Sequence, residues 1–203
     1  MIKLYFKQAF HLLKENKLLS SISIIGTALA IAMIMVIVIT LRAIIAPFAP
    51  ESYRDRMLIF RYAGFQYKTN ENWQSNGPVS YKTAKACFKE MTTPETVSIT
   101  SSFSETMLAA KPAGEKVSCS VLQVDDDFWK VFKFDFLSGY PFDKATFDAG
   151  ATKAVISEDI ARQLFGTSDV VGKTFLLNHS AYMICGVVRP VSKLARYAYA
   201  QIW

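Results

Sequence analysis

The sequence predicts an α+β protein, with a single N-terminal transmembrane helix followed by a mixed α+β extracytoplasmic domain. Three observations predict it. No charged side chain occurs between Lys17 and Arg42, and the polar residues of that run are Ser and Thr alone. Beyond Arg42 the composition becomes that of an ordinary globular chain. Within this second part, local hairpin patterns mix with separate helical ones, which argues against a doubly wound parallel sheet.

Residues 1–17 read as a cytoplasmic amphipathic helix. Ile2, Phe6, Ala9, Phe10 and Leu13 recur at helical spacing, with Lys3, Lys7, Gln8 and Lys14 mostly elsewhere. A basic, aromatic helix of this kind suits the headgroup layer, the plainer alternative being a solvated lead-in. Residues 18–41 read as the transmembrane helix. They form an apolar run of 24 residues, and about 20 suffice to cross a hydrocarbon core roughly 30 Å thick. Ser and Thr hydroxyls can bond to the helix's own carbonyls. A cleaved signal would carry an apolar stretch of about 7–15 residues and a small-residue cleavage site. Thr40-Leu41-Arg42-Ala43 is a poor site, so the span reads as retained. Four lysines precede it and Arg42, Arg54 and Arg56 follow, a slim bias that puts the N-terminus inside and residues 42–203 outside. Gly26 and Ala30 share a face four residues apart, which makes them candidates for membrane helix packing.

Residues 42–203 read as one extracytoplasmic domain. Pro47 and Pro50 end the helix. Met57–Phe60 reads as a short apolar strand, and residues 64–78, rich in Asn and Gly, as a surface loop. Ser80 caps a helix from Tyr81 to about Met91, with Ala84, Phe88 and Met91 on one side. Val97–Phe103 reads as a strand. Thr106–Ala110 and Val117–Val124 form a hairpin around a turn at residues 111–115. Asp125, Asp126 and Asp127 precede a short helix at Phe128–Phe132, where the helix dipole favours acids. Val155-Ile156 ends a strand, and Ser157 caps a helix over Glu158–Phe165 that stops at Gly166. Thr174–Leu177, a turn at residues 178–180 and Ala181–Val188 make a second hairpin, closed by Pro190.

The chemistry-bearing residues exclude more than they offer. The net charge of +6 is shared equally by residues 1–17 and 42–203, too mild and too dispersed for a nucleic-acid surface. Gly166 to Lys173 resembles a phosphate loop but has five residues between its glycines where four are needed, and it follows a helix instead of a strand. The three aspartates lack the alternate acids, Gly and distal Glu of a calcium loop. His11 and His179 lie far apart, and no G-x-S-x-G is present, so no catalytic, metal or cofactor-binding constellation is expected. Cys87, Cys119 and Cys185 are unpaired in pattern; each reads as a small apolar residue, with one disulfide as the open alternative. Trp73 reads either as a partner contact or as a cap on the domain's own core.

The order of the pieces resembles the MacB-like/FtsX-like family of ABC transporter permeases. The resemblance rests on Glu15-Asn16-Lys17 before the Ser/Gly/Ala-rich span, and on an ordered set further along. That set is Val124, Phe128, Phe132, Leu137, Gly139 and Phe142, then Val155-Ile156-Ser157-Glu158, Ala161, Leu164-Phe165-Gly166, Gly172-Lys173, Tyr182 and Gly186-Val187-Val188. It implies a MacB-like periplasmic core after the first membrane helix, in a bacterial inner membrane. It implies a non-catalytic permease subunit that relays ATP-driven motion from a separate cytoplasmic ABC ATPase to the periplasmic side, for export or mechanotransmission. The implied partners are that ATPase, the lipid bilayer, a second permease as a homo- or heterodimer, and a periplasmic protein. The family's further membrane helices imply that the core is incomplete at its C-terminal end here, the chain being part of a four-span permease or a shortened form. The alternative reading is a single-span membrane-anchored sensor or ligand-binding module, which predicts a deep apolar pocket with converging polar groups.

Overall fold

The computed structural model describes residues 2–67, 70–112 and 114–203 and falls into two units, one up to Ala46 and one from Pro47 to Trp203. The first unit is two helices, α1 (Ile2–Glu15) and α2 (Lys17–Ile45). Asn16 leaves helical geometry between them, with φ −109° and ψ 59°. α2 has 29 residues, so it overruns the expected span at both ends. None of them is buried. Thr27 Oγ1 donates to Ser23 O at 2.9 Å and Thr40 Oγ1 to Val36 O at 2.7 Å, closing both hydroxyls on the helix itself. The helix ends at Ile45, two residues before Pro47, with the Ala46 N–H on Arg42 O at 2.8 Å.

The second unit holds, in chain order, β1 (Ala63–Tyr67), β2 (Asn70–Gly77), α3 (Tyr81–Phe88), β3 (Glu105–Ala110), β4 (Lys116–Val121) and α4 (Phe128–Val131). It continues with β5 (Phe136–Gly139), α5 (Lys144–Asp148), β6 (Lys153–Ser157), α6 (Glu158–Phe165), β7 (Thr174–Leu177) and β8 (Ser180–Val188). β1 and β2 pair with each other as a separate two-stranded sheet. The main sheet runs β4-β3-β7-β8 through antiparallel neighbours. The second half of β8 takes β6 in parallel and β5 antiparallel. The last three residues complete the arrangement. Ile202 bridges Val121 in parallel and Ile156 antiparallel. The Leu122 N–H donates to Ile202 O at 3.0 Å, and Val155 and Trp203 exchange N–H···O bonds at 2.9 Å each. Residues 201–203 thus link β6 to the C-terminal end of β4 and close the hydrogen-bonded ring there.

Two apolar clusters hold this unit. One joins β3, β4, β6, β7 and β8 to Ile160, Ala161 and Leu164 on a single face of α6, with Phe175, Ile156 and Ile184 fully buried. The other is aromatic: Phe128 and Trp129 meet edge-on at 5.3 Å between ring centres, and Phe134 meets Trp203 at 5.0 Å. Gly166, with φ 74°, stops α6 in the left-handed conformation. In the β7–β8 hairpin Leu177 faces Ser180, leaving a two-residue turn with φ 46° at Asn178 and 74° at His179, as a type I′ turn requires. Gly139 combines φ 68° with a close approach, because a Cβ there would stand 2.2 Å from Cys185 O.

Several local readings are corrected. Residues 57–60 form no strand, and Leu58 is wholly exposed. Residues 64–67 and 70–77 pair as β1 and β2, because cross-strand pairing stabilises even Asn- and Gln-rich segments when their partner is adjacent in sequence; residues 68–69 lie outside the described residues. Val97–Phe103 keeps a single bridge, Thr100 to Val124, while Asp125 takes the Ile99 N–H. β5 and α5 had no sequence signal strong enough to read. Ser157 sits at the N-cap position of α6, yet its hydroxyl makes no cap bond. Cys87 is exposed, whereas Cys119 is buried and all three thiols are free.

Candidate functional site

The side-chain arrangement with the clearest mechanical content lies just after the apolar helix in sequence. Glu51 is fully buried, although it sits only five residues beyond Ala46. A buried carboxylate is tolerated when cations and N–H donors surround it. Arg54 Nε donates to Glu51 Oε2 at 2.5 Å, and that guanidinium is itself nearly buried, also donates to Leu194 O and lies 4.3 Å over the Phe48 ring. The backbone N–H groups of Tyr197 and Ala198 donate to Glu51 Oε1 at 2.7 and 3.1 Å. One carboxylate therefore ties residues 48–54 to residues 194–198. The latter lead directly into the tripeptide that closes the sheet, where Trp203 Nε1 donates back to Ala198 O at 3.1 Å. Charged, desolvated hydrogen bonds at Glu51 thus join residues 48–54 to the segment that leads into the C-terminal tripeptide.

A second buried carboxylate organises residues 98–99 and the start of α4. Asp125 is 1% exposed and accepts from Ser98 Oγ at 2.8 Å, Ile99 N at 2.9 Å and Phe128 N at 3.1 Å. Lys89 Nζ lies 2.7 Å from Asp125 Oδ2 and 2.6 Å from Asp127 Oδ2, while Lys130 pairs with Asp127 Oδ1 at 2.7 Å. Burial alone would raise the Asp127 carboxyl, but hydrogen bonds from Lys130 and Lys89 hold it below its ordinary 3.8. The three aspartates are consecutive and close together, and Asp125 and Asp127 are held by Lys89, Lys130, the Ser98 hydroxyl and the Ile99 N–H.

The other residues singled out by sequence are not brought together. Gly26 and Ala30 both lie exposed in the middle of α2, and the space where a Gly26 Cβ would project is open. His11 pairs with Glu15 at 3.3 Å within α1, and His179 occupies the hairpin turn. Gly166 to Lys173 runs from α6 into β7, with Gly172 at φ 83° and Lys173 Nζ 5.5 Å over the Phe165 ring. The Trp73 side chain lies outside the described residues. Sequence reading missed Glu51, Arg54 and Lys89. A Glu beside Pro50 with an Arg three residues on was the available signal, but its backbone partners are some 146 residues away in the chain.

The comparisons with known proteins identify a family. Residues 20–201 match the MacB-like periplasmic core domain family, so the chain belongs to it. This is the periplasmic core domain of the type VII ABC transporter family, whose members are membrane-anchored. Among curated proteins, none matches the chain. Similar solved structures include the following three. The extracellular domain of the noncanonic ABC-type transporter YknZ from Gram-positive bacteria shares 20% identity over 49% of this chain and 49% of that one, with a TM-score of 0.41. The periplasmic region of MacB from Actinobacillus actinomycetemcomitans shares 14% identity over 53% of this chain and 50% of that one, at 0.48. A domain of a putative permease protein from Porphyromonas gingivalis shares 19% identity over 68% of this chain and 58% of that one, at 0.47. The match spans about half the length of the first two of these structures.

Proposed function

We propose that the chain is the N-terminal part of a permease subunit in a MacB-like ABC transporter. It relays motion driven by a separate cytoplasmic ATPase to its extracytoplasmic domain, for export or for mechanical signalling. The observation that carries this reading is the Glu51 clamp: the segment that follows the membrane helix is locked to the strand that closes the domain. A transmitted displacement requires a stiff joint, and these contacts support that role. In this reading α2 spans the bilayer, residues 1–17 lie along its cytoplasmic face, and residues 42–203 form the periplasmic core. Gly26 and Ala30 present the small-residue face against which another membrane helix packs. A second permease and a periplasmic protein complete the assembly. Co-purification of the intact permease with an ATPase, and stimulation of ATP turnover by that permease in lipid, test the proposal. A permease that retains no ATPase and leaves turnover unchanged contradicts it.

A further inference from the structure

The segment between the clamp and the β1–β2 hairpin is unlike any other on the domain. Leu58 is 101% exposed, Phe60 55% and Tyr62 52%, with Ile59 also open to solvent. None of the backbone N–H or C=O groups of residues 58–62 has a hydrogen bond among the described residues. Met57 enters the segment in extended geometry, φ −91° and ψ 129°, and Tyr62 runs directly into β1. β1 pairs with β2 from Ala63 onward, so residues 58–62 lead into a strand without a ladder partner of their own among the described residues. A two-stranded sheet by itself is marginal in water, and an extended apolar run with unpaired backbone is a template for another strand.

We propose that residues 58–62 are a docking edge for an extended strand of a partner protein, added alongside β1. The unmet backbone groups decide the class of occupant. Lipid can cover Leu58 and Phe60 but offers the N–H and C=O groups no ladder partner. A polypeptide strand satisfies both the side chains and the backbone. Charge narrows the choice further. Arg54 to Tyr62 contains three arginines and one acid, Asp55. Arg54 is spent on Glu51, while Arg56 meets Glu95 at 3.4 Å with both side chains largely exposed, a weak pair. Arg61 lies 5.3 Å over the Tyr197 ring. A second copy pairing antiparallel through this edge, centred on Leu58 and Ile59, would set Arg56 against Arg61. The complementary partner is a strand with apolar residues at every second position and acidic ones at its flanks.

The test is selection of a random decapeptide phage library on the full-length protein in nanodiscs, followed by binding of the enriched peptides to variants. The expected consensus has period-two apolar positions flanked by Asp or Glu. Alternate N–H groups of a strand point to opposite edges, so only one of Leu58→Pro and Ile59→Pro removes a donor from the docking edge. One of the two should weaken binding at least tenfold and the other should leave it within threefold, while Arg61→Glu weakens it at least fivefold. Neither proline breaks an existing hydrogen bond, and unchanged thermal unfolding confirms that each variant is folded. The inference is overturned if no peptide is enriched, if the consensus is basic or helically spaced, or if both prolines bind like the parent. Self-association through this edge, lost on Leu58→Asp, overturns it as well.

Discussion

Replacing Glu51 by Ala probes the joint on which the mechanical reading rests. The substitution removes the carboxylate that meets Arg54 Nε at 2.5 Å and the N–H groups of Tyr197 and Ala198 at 2.7 and 3.1 Å. Arg54, with a side chain 9% exposed, is left as a nearly buried cation with Leu194 O and the Phe48 ring for company. Breaking a buried ion pair by removing one partner costs about 3–5 kcal/mol. The two stranded N–H groups lie within about the same range, since relaxation and water entry recover part of each loss. With an m-value of about 2 kcal/mol/M, the urea midpoint of the full chain in detergent should fall by about 1.5–2.5 M. Trp129 and Trp203 both lie in the aromatic cluster and report the transition by fluorescence. Glu51→Gln keeps an acceptor for the two N–H groups but loses the charge, so it should cost about 2 kcal/mol. Glu95→Ala removes an exposed partner of Arg56 and should cost less than about 0.5 kcal/mol. A Glu51→Ala midpoint indistinguishable from that of Glu95→Ala refutes the reasoning.

Four further outcomes follow from the same structure. The Asp127 carboxyl is held below its ordinary 3.8 by Lys130 and Lys89 against the opposing pull of burial. Its stabilisation is therefore present above about pH 4 and lost as pH falls through the lower folded value. Parent and Asp127→Asn should differ by a constant urea midpoint from pH 5 to 7 and converge toward pH 2.5; a gap independent of pH contradicts this. Burial pushes the Cys119 thiol up to about 11 and raises Cys185 too, while Cys87 is exposed. A thiol reagent at neutral pH should modify one cysteine quickly, mapped to Cys87 by mass spectrometry, and the other two on unfolding. Gly139→Ala sets a Cβ 2.2 Å from Cys185 O at a position with φ 68°, so it should lower stability by about 3 kcal/mol or more in the same urea assay. Gly26→Leu meets open space in the chain itself; it should leave the folded domain unchanged in circular dichroism yet reduce recovery of the multi-helix permease assembly at least fivefold.

Local signals made much of the fold legible. The apolar run, Pro47 and Gly166 set boundaries that the structure keeps to within a few residues, because each acts through its own backbone chemistry. The β7–β8 hairpin was readable from Asn178-His179 between apolar strands, and Ser80 caps α3 through the Thr83 N–H as its position suggests. What could not be read depends on distant partners. Ile202 bridges both β4 and β6 because each lacks a neighbour there, a fact absent from its own sequence. Glu51 is buried because Tyr197 and Ala198 aim their N–H groups at it from the far end of the chain. The loop reading of residues 64–78 failed for the opposite reason, since polar composition outweighed a short-range pairing that needs no apolar face.

The most direct test of the relay is amide hydrogen exchange by mass spectrometry on the permease–ATPase complex in lipid, compared between the nucleotide-free and ATP-trapped states. Exchange at residues 47–57 and 195–203 should change together by at least threefold on trapping, and Glu51→Ala should abolish the change at 195–203 while sparing that at 47–57. Identical exchange in the two nucleotide states, or a response at 195–203 that survives loss of Glu51, would contradict the account.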